Sequence, residues 1–229
     1  MDGTLITLLV TTAILLSLTW WLLRLFERAA EADWGSRWVN RIDGFGRIFC
    51  YRYHRLKSSR LQLPESGPAI IVANHISGID PFLLIASSRR PIRFIVASEQ
   101  YYRFGLQWMF RVSGCIPVDR SGKPERAFRE ALKALQAGEV VGIFPHGTIH
   151  LESDPPRKMK SGAVKLAQLA GCEIYPARID GVRAEGDVFL PALLRGNATV
   201  ESFAPISCEG REVRECLGEI ERVVVRETG

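Results

Sequence analysis

Nineteen consecutive residues, Leu5 to Leu23 (LITLLVTTAILLSLTWWLL), carry no charge. Whatever the rest of the chain builds, this stretch has to be taken out of water. As a helix it would reach about 28 Å, close to the hydrocarbon thickness of a bilayer. No helical period gives it a polar face, so the choice is between a membrane helix and a fully buried core helix. Met1-Asp2-Gly3 is not the basic start of a secretory signal. Trp20-Trp21 followed by Arg24 has the composition of a membrane–water boundary. A membrane helix is therefore expected.

The charge distribution extends this reading. Between Arg24 and Arg60 there are nine basic and four acidic residues, a local balance of +5 that equals the net charge of the whole 229-residue chain. The remainder is neutral. Basic residues concentrated beside a hydrophobic helix place the C-terminal body on the cytoplasmic face of the membrane. Within the same segment Trp34, Trp38, Ile42, Phe45, Phe49 and Tyr53 recur at helical spacing with arginines between them. Such a stripe suits either the surface of an anionic membrane or the protein's own core, and Gly44 and Gly46 weaken one unbroken helix. No nucleic-acid-binding motif accompanies the basic residues, so no nucleic-acid partner is expected.

Two segments follow: 1–60, a hydrophobic helix with a basic interfacial stretch, and 61–229, a globular domain opened by the linker-like LQLPESGP at 61–68. In the body, short apolar runs alternate with helical patterns. Strands are expected at 69–73, 92–97, 115–118, 140–144, 174–177 and 198–203. Helices are expected at 81–88, 101–112, 124–137 and 161–170, with a last one from Val213 to Val224. This alternation argues an α/β fold, a mostly parallel central sheet flanked by helices, with the N-terminal membrane helix attached. The five cysteines, at 50, 115, 172, 208 and 216, are scattered and form no C-x-x-C. Neither a disulfide framework nor a zinc knuckle is indicated, and a reducing compartment is the simple reading.

In parallel sheets chemistry gathers at the carboxyl ends of strands. NHISGID (74–80) follows the first strand of the body, Arg120 the third, and FPHGTIH (144–150) the fourth. His75 and Asp80 stand five apart, which lets a loop histidine meet a carboxylate on the first turn of a helix. A histidine acting as general base needs such a group to fix its tautomer. Asp80 also has a structural use, since Ser77-x-x-Asp80 is a capping box. No G-x-S-x-G, phosphate loop or dinucleotide fingerprint occurs. A metal site could draw on His75, Asp80, His146 and His150, but H-E-x-x-H is missing and Gly147-Thr148 interrupts the last pair. No metal and no cofactor are expected.

Several motifs in order resemble the glycerophospholipid acyltransferases. NHISGID is similar to that family's N-H-x-x-x-x-D block, GCIPVDR (114–120) to its second block and FPHGT (144–148) to its F-P-E-G-T block. IYPARIDG (174–181) is similar to its fourth, and KSGAVKLAQLAG (160–171) to the Lys-x-Gly helix start that precedes it. The resemblance covers about residues 66–182. It implies transfer of a fatty acyl group from a thioester, acyl-CoA or acyl carrier protein, to the hydroxyl of a membrane lysophospholipid such as 1-acylglycerol-3-phosphate, in phospholipid biosynthesis. His75 and Asp80 would then be catalytic. Arg120, His146, Gly147 and Thr148 would bind substrate, with Lys158 and Lys160 as candidate helpers.

The third block departs from the family. His146 stands where the family has Glu, Ile149 where it has Arg and His150 where it has Ser. Less positive charge is then expected for an acceptor phosphate, which opens the alternative of another acceptor, for example a lyso-amino lipid. A metal-dependent hydrolase is the remaining alternative.

Overall fold

The computed structural model describes residues 3–225 apart from Ser121 and Lys123, so the ends of the two expected segments, 1–2 and 226–229, lie outside the described residues. Helix α1, Gly3–Ala29, is long and apolar enough to cross a membrane and buries none of its residues. The alternative of a core helix is thereby removed. Helix α2, Arg37–Ile48, packs back against it and continues as a π-helical turn over Phe49–Tyr53. The helix runs through Gly44 and Gly46, the two positions at which the sequence weakens it. A Cβ at Gly44 would fall 1.8 Å from the Phe26 carbonyl oxygen, so this glycine permits a close helix crossing. The aromatic stripe divides: Trp38, Ile42 and Phe45 are exposed, whereas Phe49 packs against the domain core.

The hairpin is fastened by a buried charge. Arg47, 3% exposed, donates from Nε to Asp43 at 2.6 Å, from Nη1 to the Ala86 carbonyl at 3.0 Å and from Nη2 to that of Ser88 at 2.6 Å. The two carbonyls lie at the C-terminal end of α3, Asp80–Ala86. A guanidinium there satisfies orphan acceptors and complements the helix dipole.

Among the described residues seven strands form one sheet: β1 Lys57–Ser58, β2 Ala69–Ala73, β3 Ile92–Ala97, β4 Ile116–Val118, β5 Val140–Ile143, β6 Ile174–Asp180 and β7 Thr199–Ser202. Their order is β1-β7-β6-β2-β5-β3-β4. From β6 to β4 every pairing is parallel; β7 runs antiparallel to β6, and β1 parallel to β7. All of β2 is buried, as a strand covered on both faces must be. Ile70 and Val72 join the core formed by α6 (Pro124–Gln136), α7 (Gly162–Ala170) and α9 (Val213–Val224). Ile71 and Ala73 join the opposite core with α3 and the π-helical turn. Gly142 on β5 faces Phe94 on β3, and a Cβ there would sit 2.4 Å from the ring.

Four local features differ from the sequence reading. The helix over 101–112 is two, α4 Ser98–Tyr101 and α5 Gln107–Val112, because the chain turns at Gly105 with φ of 82°. A last short helix, α8 Leu190–Leu193, has no apolar period to announce it. Cys208 and Cys216 are disulfide-bonded, joining the loop after β7 to the inner face of α9; a pair eight residues apart leaves no motif in the sequence. The 61–68 segment is held down rather than loose: Leu61 is buried, and Arg90 donates to the carbonyls of Pro64 and Gly67 at 2.9 and 2.8 Å.

Candidate active site

The carboxyl end of β2 delivers Asn74 and then His75. Asn74 is clamped to β6: its amide donates to the Ile179 carbonyl at 2.8 Å, and its oxygen accepts the Ile179 N–H at 2.7 Å. The loop then turns through Ile76–Ile79 into α3, whose first residue is Asp80. This brings His75 Nδ1 to 2.9 Å from Asp80 Oδ2.

Asp80 is fully buried, and its environment explains how it stays in place. Its Oδ2 also accepts the N–H groups of Ile76 and Ser77 at 2.7 and 2.8 Å, while Oδ1 accepts the Ser77 hydroxyl. The expected capping box does not form: the residue before the helix is Ile79, with no side-chain cap bond, and the Ser77 hydroxyl donates to the carboxylate instead of accepting from the backbone. The carboxylate instead holds the loop and the histidine together. With Nδ1–H donated to Asp80, Nε2 is the ring nitrogen left to a substrate. The imidazole stacks on Phe144 at the end of β5, centroids 4.1 Å apart. The stacking and the carboxylate together fix the ring in two directions.

FPHGTIH lies directly beside it. The His150 N–H donates to the His75 carbonyl at 2.8 Å, tying the two loops together. Gly147 takes a φ of 76°, and a Cβ there would meet Lys160 Nζ at 2.8 Å. His146 is buried, and its ring lies 4.5 Å from that of His150. Burial first, and the neighbouring His150 second, hold His146 below the usual histidine range, so it is a neutral imidazole at neutral pH. His150 Nδ1 is 3.6 Å from Asp154. Among the described residues no three His, Cys, Asp or Glu side chains converge to hold a metal ion.

Arg120, after β4, donates from Nη1 to the Gly147 carbonyl at 2.7 Å and pairs with Glu99 through Nη2. Arg157 donates to the Thr148 hydroxyl at 2.5 Å. Arg120, Arg157 and Lys160 therefore surround Gly147-Thr148. Position 149 carries no charge, and the guanidinium of Arg157 lies beside the neighbouring Thr148. Sequence reasoning missed Arg157, the clamp by Asn74 and the stacking by Phe144. Asn74 and Phe144, each the first residue of a quoted motif, carried a signal that could have been followed; Arg157 carried none.

The sequence model of a family described as acyltransferase matches residues 55–180, more than half of the chain. The 1-acyl-sn-glycerol-3-phosphate acyltransferase of Bacillus subtilis (strain 168) is 27% identical over 128 residues, which are 56% of this chain and 63% of that protein. The protein of the same name from Borreliella burgdorferi is 32% identical over 120 residues, 51% of this chain and 47% of that one. An N-acylphosphatidylethanolamine synthase of Arabidopsis thaliana is 30% identical over 113 residues, 45% and 40% of the two chains. The matches thus span between 40% and 63% of these relatives' own lengths. Among solved structures, the 1-acyl-sn-glycerophosphate (LPA) acyltransferase PlsC of Thermotoga maritima superposes with a TM-score of 0.66 at 22% identity, covering 83% of this chain and 78% of that one. It has the same fold. On the extent of the family match, this chain belongs to the acyltransferase family.

Proposed function

We propose that this acyltransferase moves a fatty acyl group from a thioester donor, acyl-CoA or acyl carrier protein, to the hydroxyl of a lysophospholipid such as 1-acylglycerol-3-phosphate. The observation that carries the proposal is the His75–Asp80 pair at the carboxyl end of β2, with Nδ1 committed to the carboxylate. The acceptor hydroxyl gives its proton to His75 Nε2 as its oxygen attacks the thioester carbonyl carbon. The tetrahedral intermediate collapses, the C–S bond breaks and the departing thiolate takes the proton from the imidazolium. Asp80 keeps Nε2 unprotonated before attack and stabilises the ring's charge after it, as a tautomer-fixing carboxylate does. No cofactor takes part; the donor is a co-substrate.

His146, Gly147 and Thr148 with Arg120 form the wall we assign to the acceptor. The arginines at 120 and 157 favour an anionic head group, because a guanidinium offers forked donors to phosphate. The neutral His146 and Ile149 favour the second reading, an acceptor such as a lyso-amino lipid. We place the enzyme on the cytoplasmic face of an anionic membrane, held by α1 and by the basic residues that follow it.

The test is turnover by purified protein with acyl-CoA or acylated carrier protein and a panel of lysolipids, read by mass spectrometry. His75→Ala should cost about 10²–10⁴ in kcat. Undiminished turnover in that variant would refute His75 as the base.

A further inference from the structure

Two apolar edges outside the catalytic pair are left largely exposed among the described residues. One is the α4–α5 turn, where Tyr102 and Trp108 are largely exposed and Phe104 is fully so. The other runs through α8, where Phe189 and Leu190 are exposed and Leu193 is 70% exposed. Soluble surfaces scatter such residues singly and rarely cluster them.

The two edges touch each other. The Arg103 guanidinium lies 4.5 Å over the Phe189 ring. The second edge also touches the hairpin, since the Tyr53 hydroxyl donates to the Leu193 carbonyl at 2.6 Å. From Tyr53 the contacts continue through Phe49 at 5.2 Å and Phe45 at 6.4 Å to Phe26 of α1 at 5.4 Å. The path passes the catalytic loop. Gly78 donates to the Asp187 carbonyl at 3.1 Å, and a Cβ on it would fall 1.9 Å from the Val188 oxygen.

Arginine–aromatic pairs recur along this path. Arg24 lies over Trp20 at 5.4 Å, Arg41 over Trp38 at 5.3 Å and Arg103 over Phe189. An aromatic ring with an arginine above it suits the water–hydrocarbon boundary: the ring sits at head-group depth while the guanidinium stays with phosphate and water. The first of these pairs stands at the end of the helix that is apolar enough to cross a membrane. The third lies beside the catalytic loop, at the residue that follows the Gly78 contact with Val188.

We propose that the Tyr102–Trp108 turn and the Phe189–Leu193 helix are a second membrane contact, dipping into the same anionic bilayer as the α1–α2 hairpin beside the catalytic loop. The bilayer is the occupant because the edges are continuous with α1 and carry its boundary chemistry. A lysolipid would then reach His75 from lipid without crossing water. This last step rests on the acyl-transfer reading above; the membrane contact does not.

The experiment uses the full chain and vesicles of phosphatidylcholine and phosphatidylglycerol containing lipids brominated near the head-group end of the acyl chain. Tryptophan quenching in the wild type is compared with that in Trp108→Phe, so that the difference reports Trp108 alone. Quenching of that difference signal is expected. Phe104→Ser together with Leu193→Ser should raise KM for vesicle-borne lysophospholipid at least about tenfold and leave turnover of a short-chain, water-soluble acceptor unchanged. An unquenched Trp108 with unchanged KM overturns the proposal. So does a Trp108 signal that follows protein concentration instead of lipid, which would assign the edges to a second copy of the chain. If no acceptor is turned over, the proposed function falls, while Trp108 quenching still decides the membrane contact.

Discussion

Asn74 and Ile179 exchange two hydrogen bonds, so the last residue before His75 is locked to the neighbouring strand by a side chain that imitates backbone pairing. Removing it leaves both polar groups of the buried Ile179 without those partners. Asn74→Ala should therefore destabilise the protein by about 1–3 kcal/mol, read from the denaturant midpoint at unchanged slope. It should also lower kcat by loosening His75. Loss of stability with kcat intact would show that the clamp serves folding alone.

Asp80→Asn keeps the shape: its amide oxygen can take the place of Oδ2 toward Nδ1 of His75 and the N–H groups of Ile76 and Ser77, while its NH2 donates to the Ser77 hydroxyl. What is lost is the negative charge that stabilises the imidazolium formed during transfer. A fall in kcat of about 10²–10⁴ is expected, with KM changed far less. The control is Ser77→Ala, which removes one bond to the same carboxylate and should cost much less activity.

Arg157→Gln tests whether the guanidinium beside Thr148 reads the acceptor's charge. KM for a phosphate-bearing lysolipid should rise roughly tenfold, while that for a monoacylglycerol of equal chain length stays put. Arg157→Lys should recover part of the loss. Equal effects on both acceptors would assign Arg157 to loop structure.

The pH dependence of stability has a definite sign. Burial lowers the pKa of His54 and of His146 in the folded protein. Both groups thus resist a proton that the unfolded chain accepts near pH 6.5. Their neutral forms contribute full stability above that value. The contribution is lost as pH falls through it toward the folded values. The urea midpoint should be lower at pH 5.5 than at pH 8. His54→Phe, which keeps the edge-on contacts with Phe49 and Tyr53 at 4.8 and 5.0 Å, should narrow the gap. A gap of unchanged size would mean that the acid sensitivity arises elsewhere.

Ala69–Ala73 was legible because burial on both faces leaves an uninterrupted apolar run, and Ile92–Ala97 because Arg93 is the one polar residue in an apolar stretch; both carry the same bounds in sequence and structure. β1 was not, since Lys57-Ser58 has no apolar signal and is a strand only through its pairing with β7. The His75–Asp80 contact could be read because five residues suffice for a loop and the first turn of a helix. Arg157 could not, because its approach to Thr148 depends on how the 151–160 segment folds back. The Cys208–Cys216 bond was hidden for the same reason, being a meeting of a loop with a helix face.

Arg47 gives the hairpin a mechanical character. A flexible tether would confine the catalytic body near the bilayer and leave it free to tumble. Here one buried guanidinium joins α2, through Asp43, to the far end of the seven-residue helix that begins at Asp80. On the membrane placement proposed above, the hairpin would be a keel: the height and tilt of the His75–Asp80 pair above the lipid would be set with it.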